Sequence, residues 1–101
     1  MPVLRHTVAF ALPFGVGTGE EASFLASAHR LAEIPGVEGF TVLRALDQEQ
    51  QLPLTFSMEF ADRAAYDAYN AHPQHRDFVE HLWLPTVTAF VETDYAIEPA
   101  P

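Results

Sequence analysis

The sequence contains no cysteine and no lysine. The absence of cysteine excludes disulfides, thiolate metal sites and a cysteine nucleophile. Its 14 acidic residues outnumber five basic ones, all arginine, and the net charge is −9. This balance lacks the basic surface that nucleic-acid-binding proteins need, and it disfavours binding to anionic membranes. We therefore expect neither nucleic acid nor membrane as a partner.

Long hydrophobic runs are also missing. No apolar stretch approaches the roughly 20 residues of a membrane span, and the N-terminus begins with strand-like alternation rather than a signal peptide. A cytoplasmic location is expected. The 49% hydrophobic and 12% aromatic content is ample for a core. A chain of 101 residues predicts a single domain over 1–101, with a flexible tail at 98–101.

Hydrophobic spacing predicts four strands and two helical regions. One helical region follows the first strand and the other follows the third, so the order is β-α-β-β-α-β. Two right-handed crossovers then predict an α+β, ferredoxin-like fold, with a four-stranded antiparallel sheet and helices on one face. The strands are expected at 3–11, 37–46, 54–60 and 90–97.

The helix of the first crossover is predicted to begin after Thr18, because Glu21 follows at capping-box spacing. It is expected to end near Glu33, where Ile34-Pro35-Gly36 combines two helix breakers. Its buried stripe is expected to contain Ala22, Leu25, Ala28, Leu31 and Ala32, with Phe24 beside it.

The second helical region has a plausible N-cap at Asp62 and contains the stretch 69–79, Tyr-Asn-Ala-His-Pro-Gln-His-Arg-Asp-Phe-Val. Pro73 predicts helix, turn and helix, with His72 stabilising the turn or the next helix. Tyr69 and His75 lie on helical faces meant for the core, and His6 lies on the apolar face of the first strand. Buried polar groups are costly unless they are paired or used, which makes these three residues candidates for a site.

Several segments together resemble the stress-responsive dimeric α/β-barrel domain family over nearly the whole chain. The most specific is Tyr-x-x-His-Pro-x-His, preceded by the strand histidine. The resemblance implies a homodimer in which two sheets meet face to face inside a barrel. The sheet face away from the helices is also expected to be too apolar to face water, and a second copy of the chain is the simplest cover for it. This predicts the same homodimer independently of the resemblance. The chain departs from the family at 47–53, where many relatives carry a longer loop with a Gly-Tyr pair. The matching segments are Arg5 to Phe10, Ile34 to Val37, Glu59-Phe60, 69–79, Leu84-Pro85 and Asp94-Tyr95.

In plant polyketide cyclases of this family, of the olivetolic acid cyclase type, three polar residues line a pocket between sheet and helices and cyclise a linear polyketide. The resemblance implies that His6, Tyr69 and His75 are the catalytic residues here, acting on a small apolar or polyketide-like molecule without a cofactor. Histidine suits enolate formation near neutral pH, and a phenol stabilises negative charge on oxygen. Ser27 replaces a pocket tyrosine of those cyclases. The expected ligand-binding residues are Phe24, Ser27, His72, Phe78 and Val79.

Three alternatives remain open. The same residues can serve the fold of a non-catalytic stress or ligand-sequestering protein. A metal site would use His72 and His75, with Glu80 or His81, but no third ligand is obvious and no metal is expected. The third alternative is a haem-binding or monooxygenase-like barrel. Some haem-degrading proteins with a similar fold use asparagine, histidine and tryptophan, and Asn70, His75 and Trp83 supply these residue types here.

Overall fold

The structure, a computed structural model, describes residues 3–47 and 49–100, so Gln48 of the short connection and Pro101 of the expected tail lie outside the described residues. The four strands are antiparallel and lie in the order β2-β3-β1-β4. Helices cover one face of this sheet, which confirms the ferredoxin-like α+β fold. Strand β2 is shorter at both ends than predicted. The strands are β1 Leu4–Ala11, β2 Glu38–Arg44, β3 Leu54–Phe60 and β4 Ala89–Ala96.

The helical regions follow the predicted breaks. The first crossover is a helix continued by a 3-10 turn, and the second is divided at Pro73 as expected. No helix of the described residues is long and apolar enough to cross a membrane. The helices are α1 Gly19–His29, α2 Arg63–Ala71, α3 Pro73–Phe78 and α4 Leu84–Thr86, with a 3-10 turn at Arg30–Glu33 and a π-helical segment at Val79–Trp83.

Helix α1 begins as predicted, and the stripe it buries is only partly the predicted one: Ala28 and Leu31 are buried and Leu25 packs against the core. The Thr18 hydroxyl accepts a hydrogen bond from the Glu21 backbone N–H, which confirms the N-cap. The Glu21 carboxylate is buried and binds Arg44 and the Gly17 N–H. Ala22 and Ala32, both predicted to be buried, are exposed. The large ring of Phe24 packs on the core, so α1 buries Glu21 and Phe24 together with the predicted Ala28.

Alternation along the two central strands builds the core. Side chains of β1 and β3 that point towards the helices are buried, as period-2 alternation requires. Aromatic rings from the sheet and the helices interlock there, with Phe10 contacting both Phe56 and Trp83. Burying each such ring stabilises the fold by about 1.5–3 kcal/mol. The most enclosed side chains are Phe10, Ile34, Leu54, Phe56, Met58, Phe60 and Tyr69.

The opposite face of the sheet is uncovered and carries several exposed apolar side chains. Leu43 of β2 is 50% exposed, and Val91 of β4 is 56% exposed. Ala9 pairs with Val91 and Arg5 pairs with Tyr95 on this same face, beside the exposed Val3. Apolar side chains clustered on one sheet face indicate a surface that another layer covers.

Candidate functional site

The turn at Pro73 has a defined local structure. His72 separates α2 from α3 with an extended backbone, φ −67° and ψ 136°, as expected for a residue that precedes proline. Its ring nitrogen Nδ1 accepts a hydrogen bond from the Gln74 N–H at 3.1 Å. His72 is therefore the N-cap of α3, which confirms the predicted stabilising role at this turn.

A cavity of about 220 Å³ lies between the sheet and the helices, and we call it the sheet–helix cavity. His6, Tyr69 and His75 all line it. The ring centres of Tyr69 and His75 are 4.5 Å apart, and those of His6 and Tyr69 are 6.4 Å apart. A cavity of about 150 Å³ admits benzene, so this one has room for a substituted ring. The other lining residues are Val8, Leu31, Phe56, Met58, Phe78, Val79, Trp83, Leu84, Phe90 and Glu92.

The expected ligand-binding residues divide into two groups. Phe78 and Val79 line the sheet–helix cavity. Phe24 lies outside it, packed against the rings of Phe78 and Trp83. Ser27 faces two separate surface grooves on the other side of Leu31, and His72 caps its helix away from the cavity. The structure thus brings Phe78 and Val79 to the three polar rings and leaves the other three residues elsewhere.

His6 is held by two side chains that the sequence analysis did not assign to the site. Its Nδ1 lies 2.6 Å from Oδ1 of Asp94, the residue directly opposite on β4. The Tyr66 hydroxyl lies 3.2 Å from the same nitrogen. We assign the imidazole proton to Nδ1, because a carboxylate can only accept a hydrogen bond. Nδ1 is thus engaged by Asp94, and Nε2 is the ring nitrogen of His6 left for the cavity.

His75 also has its Nδ1 held by a hydrogen-bond partner, in this case a backbone carbonyl. Its Nδ1 lies 3.2 Å from the carbonyl oxygen of Asn70, which can only accept, so Nδ1 carries the proton. Burial is the main cause that lowers the pKa of His75 below its ordinary value of 6.5, and the nearby His6 and His72 lower it further. The bond to Asn70 opposes this effect. At neutral pH, His75 therefore presents an unprotonated Nε2, as a general base requires.

Tyr69 is the phenol between the two imidazoles, and it is only 2% exposed. Burial raises its pKa well above the ordinary value of 10, and burial raises the pKa of Tyr66 to about 12. Both phenols are therefore protonated at neutral pH. Within the described part of the chain, the Tyr69 hydroxyl forms no hydrogen bond, whereas that of Tyr66 is bound to His6. Tyr69 is thus the phenol free to donate to a ligand.

Asp94, Glu92 and Tyr66 are the site residues that sequence reasoning missed. Asp94 belongs to one of the segments that resemble the barrel family, and Glu92 is two residues before it on the same face of a strand. Tyr66 is one helical turn before Tyr69. These spacings can be seen in the sequence. The pairing of β4 with β1, which brings Asp94 to His6, cannot be predicted from them.

The arrangement does not favour the alternative metal site. Among residues 3–47 and 49–100, no three His, Asp or Glu side chains are placed to hold a metal ion. His72 and His75 each direct Nδ1 to a backbone partner. Glu80 and His81 are exposed.

Comparison with solved structures finds the same fold in other proteins. A Dabb family protein with a ferredoxin-like fold from Mesorhizobium loti is 42% identical, with a TM-score of 0.92 over 98% of this chain and 100% of that one. A dimeric ferredoxin-like protein of unknown function from Jannaschia is 26% identical, with a TM-score of 0.71 over 94% and 99% of the two chains. Hydroxynitrile lyase from Passiflora edulis is 16% identical, with a TM-score of 0.84 over 98% and 96%.

Comparison by sequence gives the family. No functionally curated protein matches the chain significantly. The family profile described as the Stress responsive A/B Barrel Domain, or Dabb, matches residues 4–97. This match covers all four strands and both crossovers, together with His6 and the Tyr-x-x-His-Pro-x-His stretch. The chain is therefore a member of the stress-responsive A/B-barrel domain family.

Proposed function

We propose that the protein binds a small, largely apolar carbonyl compound in the sheet–helix cavity and moves a proton at the carbon beside the carbonyl. This is the acid–base step shared by polyketide cyclases and isomerases, and it needs no cofactor. One observation carries the proposal. His6 and His75 both have Nδ1 bound to a fixed partner, which leaves Nε2 of each for the same apolar cavity.

The proposed reaction uses His75 as the base and Tyr69 as the donor. Nε2 of His75 takes a proton from the α-carbon, the C–H electron pair forms a carbon–carbon double bond, and the carbonyl electron pair moves onto oxygen. The Tyr69 hydroxyl donates a hydrogen bond to this enolate oxygen. The protonated His75 then returns its proton to carbon in an isomerisation. In a cyclisation, the enolate carbon attacks a second carbonyl, and the resulting alkoxide takes that proton.

His6 is the second polar ring of the site. Asp94 and Tyr66 hold it at the sheet, so its Nε2 can accept a hydrogen bond from a substrate hydroxyl. Fixing a flexible substrate between this ring and Tyr69 favours one reactive conformation. A protein of the same fold is named a hydroxynitrile lyase, which supports catalysis on this scaffold; at 16% identity it supports no residue assignment.

We also propose that two copies form a homodimer through the uncovered sheet face. Val91 and Leu43 are half exposed there, and burying apolar area of this kind is the main driving force for association. The 26% identical protein from Jannaschia is described as dimeric, which supports the same assembly for this chain. This face is opposite to the one with the cavity, so each copy would keep a cavity of its own.

Deuterium exchange into phenylacetone tests the catalytic proposal. Proton NMR in deuterated buffer follows loss of the benzylic signal, and the protein is expected to accelerate it. His75→Ala should reduce the acceleration about 10²–10⁴-fold, the usual contribution of a general base. His29→Ala, at an exposed histidine on α1, is the matched control.

The outcomes separate the proposal from its rival. Exchange that depends on His75 and Tyr69 supports catalysis. Binding of phenylacetone in the cavity with exchange no faster than in buffer would instead support the ligand-sequestering alternative. Absence of binding to the residues of the cavity, read from amide chemical shifts, would overturn the proposed site.

A further inference from the structure

The sheet–helix cavity carries a negative charge at its β4 side. Glu92 is the one acidic side chain among its described lining residues. It lies opposite Val8 in the pairing of β1 with β4, so it points to the same side of the sheet as the core. Asp94, two residues further on the same face, is bound to His6. The edge strand thus places two carboxylates beside an apolar cavity.

No arginine is among the described residues that line the cavity. Three of the arginines are paired with carboxylates outside the cavity, namely Arg5 with Glu59, Arg44 with Glu21 and Arg63 with Asp67. Arg30 lines a separate surface groove, and Arg76 is exposed on α3.

The histidines of the cavity do not supply the missing charge either. His75, the imidazole beside Tyr69, is neutral because burial lowers its pKa. His6 also lines the cavity, but its Nδ1 is bound to Asp94 rather than to Glu92. An anionic ligand would therefore meet the Glu92 carboxylate without an arginine to pair with.

The field of Glu92 extends to the hydrogen-bonding groups of the cavity. Its charge adds to burial in raising the pKa of both Tyr66 and Tyr69, so a negative charge at either phenol is disfavoured. A ligand carboxylate beside Tyr69 would experience the same repulsion. The enolate of the proposed reaction differs, because its formation protonates His75 and the pair has no net charge.

We propose that Glu92 makes this cavity select uncharged carbonyl compounds and reject ligands that carry a carboxylate or phosphate into it. This inference rests on the proposed function, since it names the substrate class of the same site. Glu92 is exposed to solvent, so its repulsion of an anionic ligand is partly screened, but at low ionic strength one carboxylate beside the cavity still discriminates against anions.

A panel of three ligands with the same shape and different charge tests the inference. Phenylacetone is neutral, phenylacetate is an anion and 2-phenylacetamidinium is a cation. Their dissociation constants are measured by NMR titration against the wild type, Glu92→Gln and Glu38→Gln. Glu38 is exposed on β2, at the opposite edge of the sheet, so its variant changes net charge equally without changing the cavity.

For the wild type we expect phenylacetone to bind at least about fivefold more tightly than phenylacetate at low ionic strength. In Glu92→Gln, the affinity of phenylacetate relative to phenylacetone should rise about fivefold, and that of the amidinium should fall. Added salt should reduce the wild-type preference, because Glu92 is exposed to solvent. Glu38→Gln should leave all ratios unchanged.

Two different failures can be told apart. If phenylacetate binds the wild type as tightly as phenylacetone, or if Glu92→Gln and Glu38→Gln give the same ratios, the charge selection is overturned while the binding site stands. If none of the three ligands shifts the amide signals of cavity residues, the proposed function fails, and the inference fails with it.

Discussion

Nδ1 of His6 lies 2.6 Å from Oδ1 of Asp94, although 88 positions separate them in the sequence. The two residues are direct partners in the pairing of β1 with β4, so the register of one strand pair sets this contact. The pairing fixes the orientation of a buried imidazole and gives its Nδ1 a carboxylate acceptor. A positioned ring with a fixed hydrogen-bond partner is what a proton-transfer site requires.

The first prediction concerns this tautomer. Asp94→Ala removes the acceptor from Nδ1, and the Tyr66 hydroxyl 3.2 Å away can then donate to that nitrogen. We expect the proton of His6 to move from Nδ1 to Nε2, which two-bond proton–nitrogen NMR spectra report directly. Asp67→Ala, at an exposed carboxylate on α2, should leave the tautomer of His6 unchanged. An unchanged tautomer in Asp94→Ala would contradict the assigned role of Asp94.

The second prediction concerns pH. Burial lowers the pKa of His75 in the folded protein below 6.5, so the unfolded chain binds more protons as the pH falls through that value. Linkage then requires His75 to cost stability below about pH 6.5 and to have no such effect above it. Urea denaturation from about pH 5 to 7.5 should show this loss on acidification in the wild type and a smaller one in His75→Gln. His29→Gln is the control, and NMR titration of His75 should give a pKa below 6.5.

The third prediction concerns the buried carboxylate of Glu21. Its side chain is 7% exposed and bound by Arg44, whose hydrogen bonds are the main cause that lowers the Glu21 pKa below 4.5. Arg44→Ala leaves this carboxylate without its charged partner, and we expect a loss of about 1–3 kcal/mol in the free energy of unfolding. Breaking the exposed pair of Arg63 with Asp67 by Arg63→Ala should cost at most about 0.5 kcal/mol.

The stabilisation from Glu21 has a defined pH dependence. A carboxyl group whose pKa is lowered on folding stabilises the protein above its unfolded pKa and loses this effect as the pH falls through the folded value. The difference in unfolding free energy between the wild type and Arg44→Ala should therefore shrink below about pH 4.5. A constant difference down to about pH 3 would show that packing, rather than charge, accounts for the loss.

The fourth prediction concerns the turn at Pro73. His72 caps α3 by accepting the Gln74 N–H, so His72→Ala leaves that donor without its side-chain acceptor. We expect a loss of about 0.5–2 kcal/mol, as for other helix N-caps. His72→Asn keeps a cap acceptor and should recover most of the loss, measured by thermal unfolding. Equal melting temperatures for His72→Ala and the wild type would contradict the capping role.

The fifth prediction concerns assembly. Val91 is 56% exposed on the uncovered sheet face, and Val91→Glu would bring two carboxylates into the proposed interface. We expect the wild type to be a dimer by light scattering at micromolar concentration and Val91→Glu to be a monomer, because unpaired buried charges are costly. Ala26→Glu adds the same charge on the exposed surface of α1 and should remain dimeric. A monomeric wild type would overturn the proposed dimer.

Local chemistry accounts for what could be predicted. Strand alternation, the caps at Thr18 and Asp62, and the break at Pro73 each depend on a few neighbouring residues, and the structure confirms them. The predicted buried stripe of α1 was right for Ala28 and wrong for Ala22, which is exposed. Its 3.6-residue period permits more than one buried stripe, and the contacts of Phe24 and Glu21 decide which stripe faces the core.

The sequence by itself determined the order of the elements and the family, because these follow from short-range periodicity and a short motif. It also identified His6, Tyr69 and His75 as candidates, which the structure places around one cavity. Only the tertiary structure decided that Asp94 orients His6, that Glu92 lies at the cavity and that Ser27 and Phe24 do not. The register between β1 and β4 and the choice of the α1 face that packs on the core set these relationships. Both are settled by packing among segments far apart in the chain, which spacing within one segment does not encode.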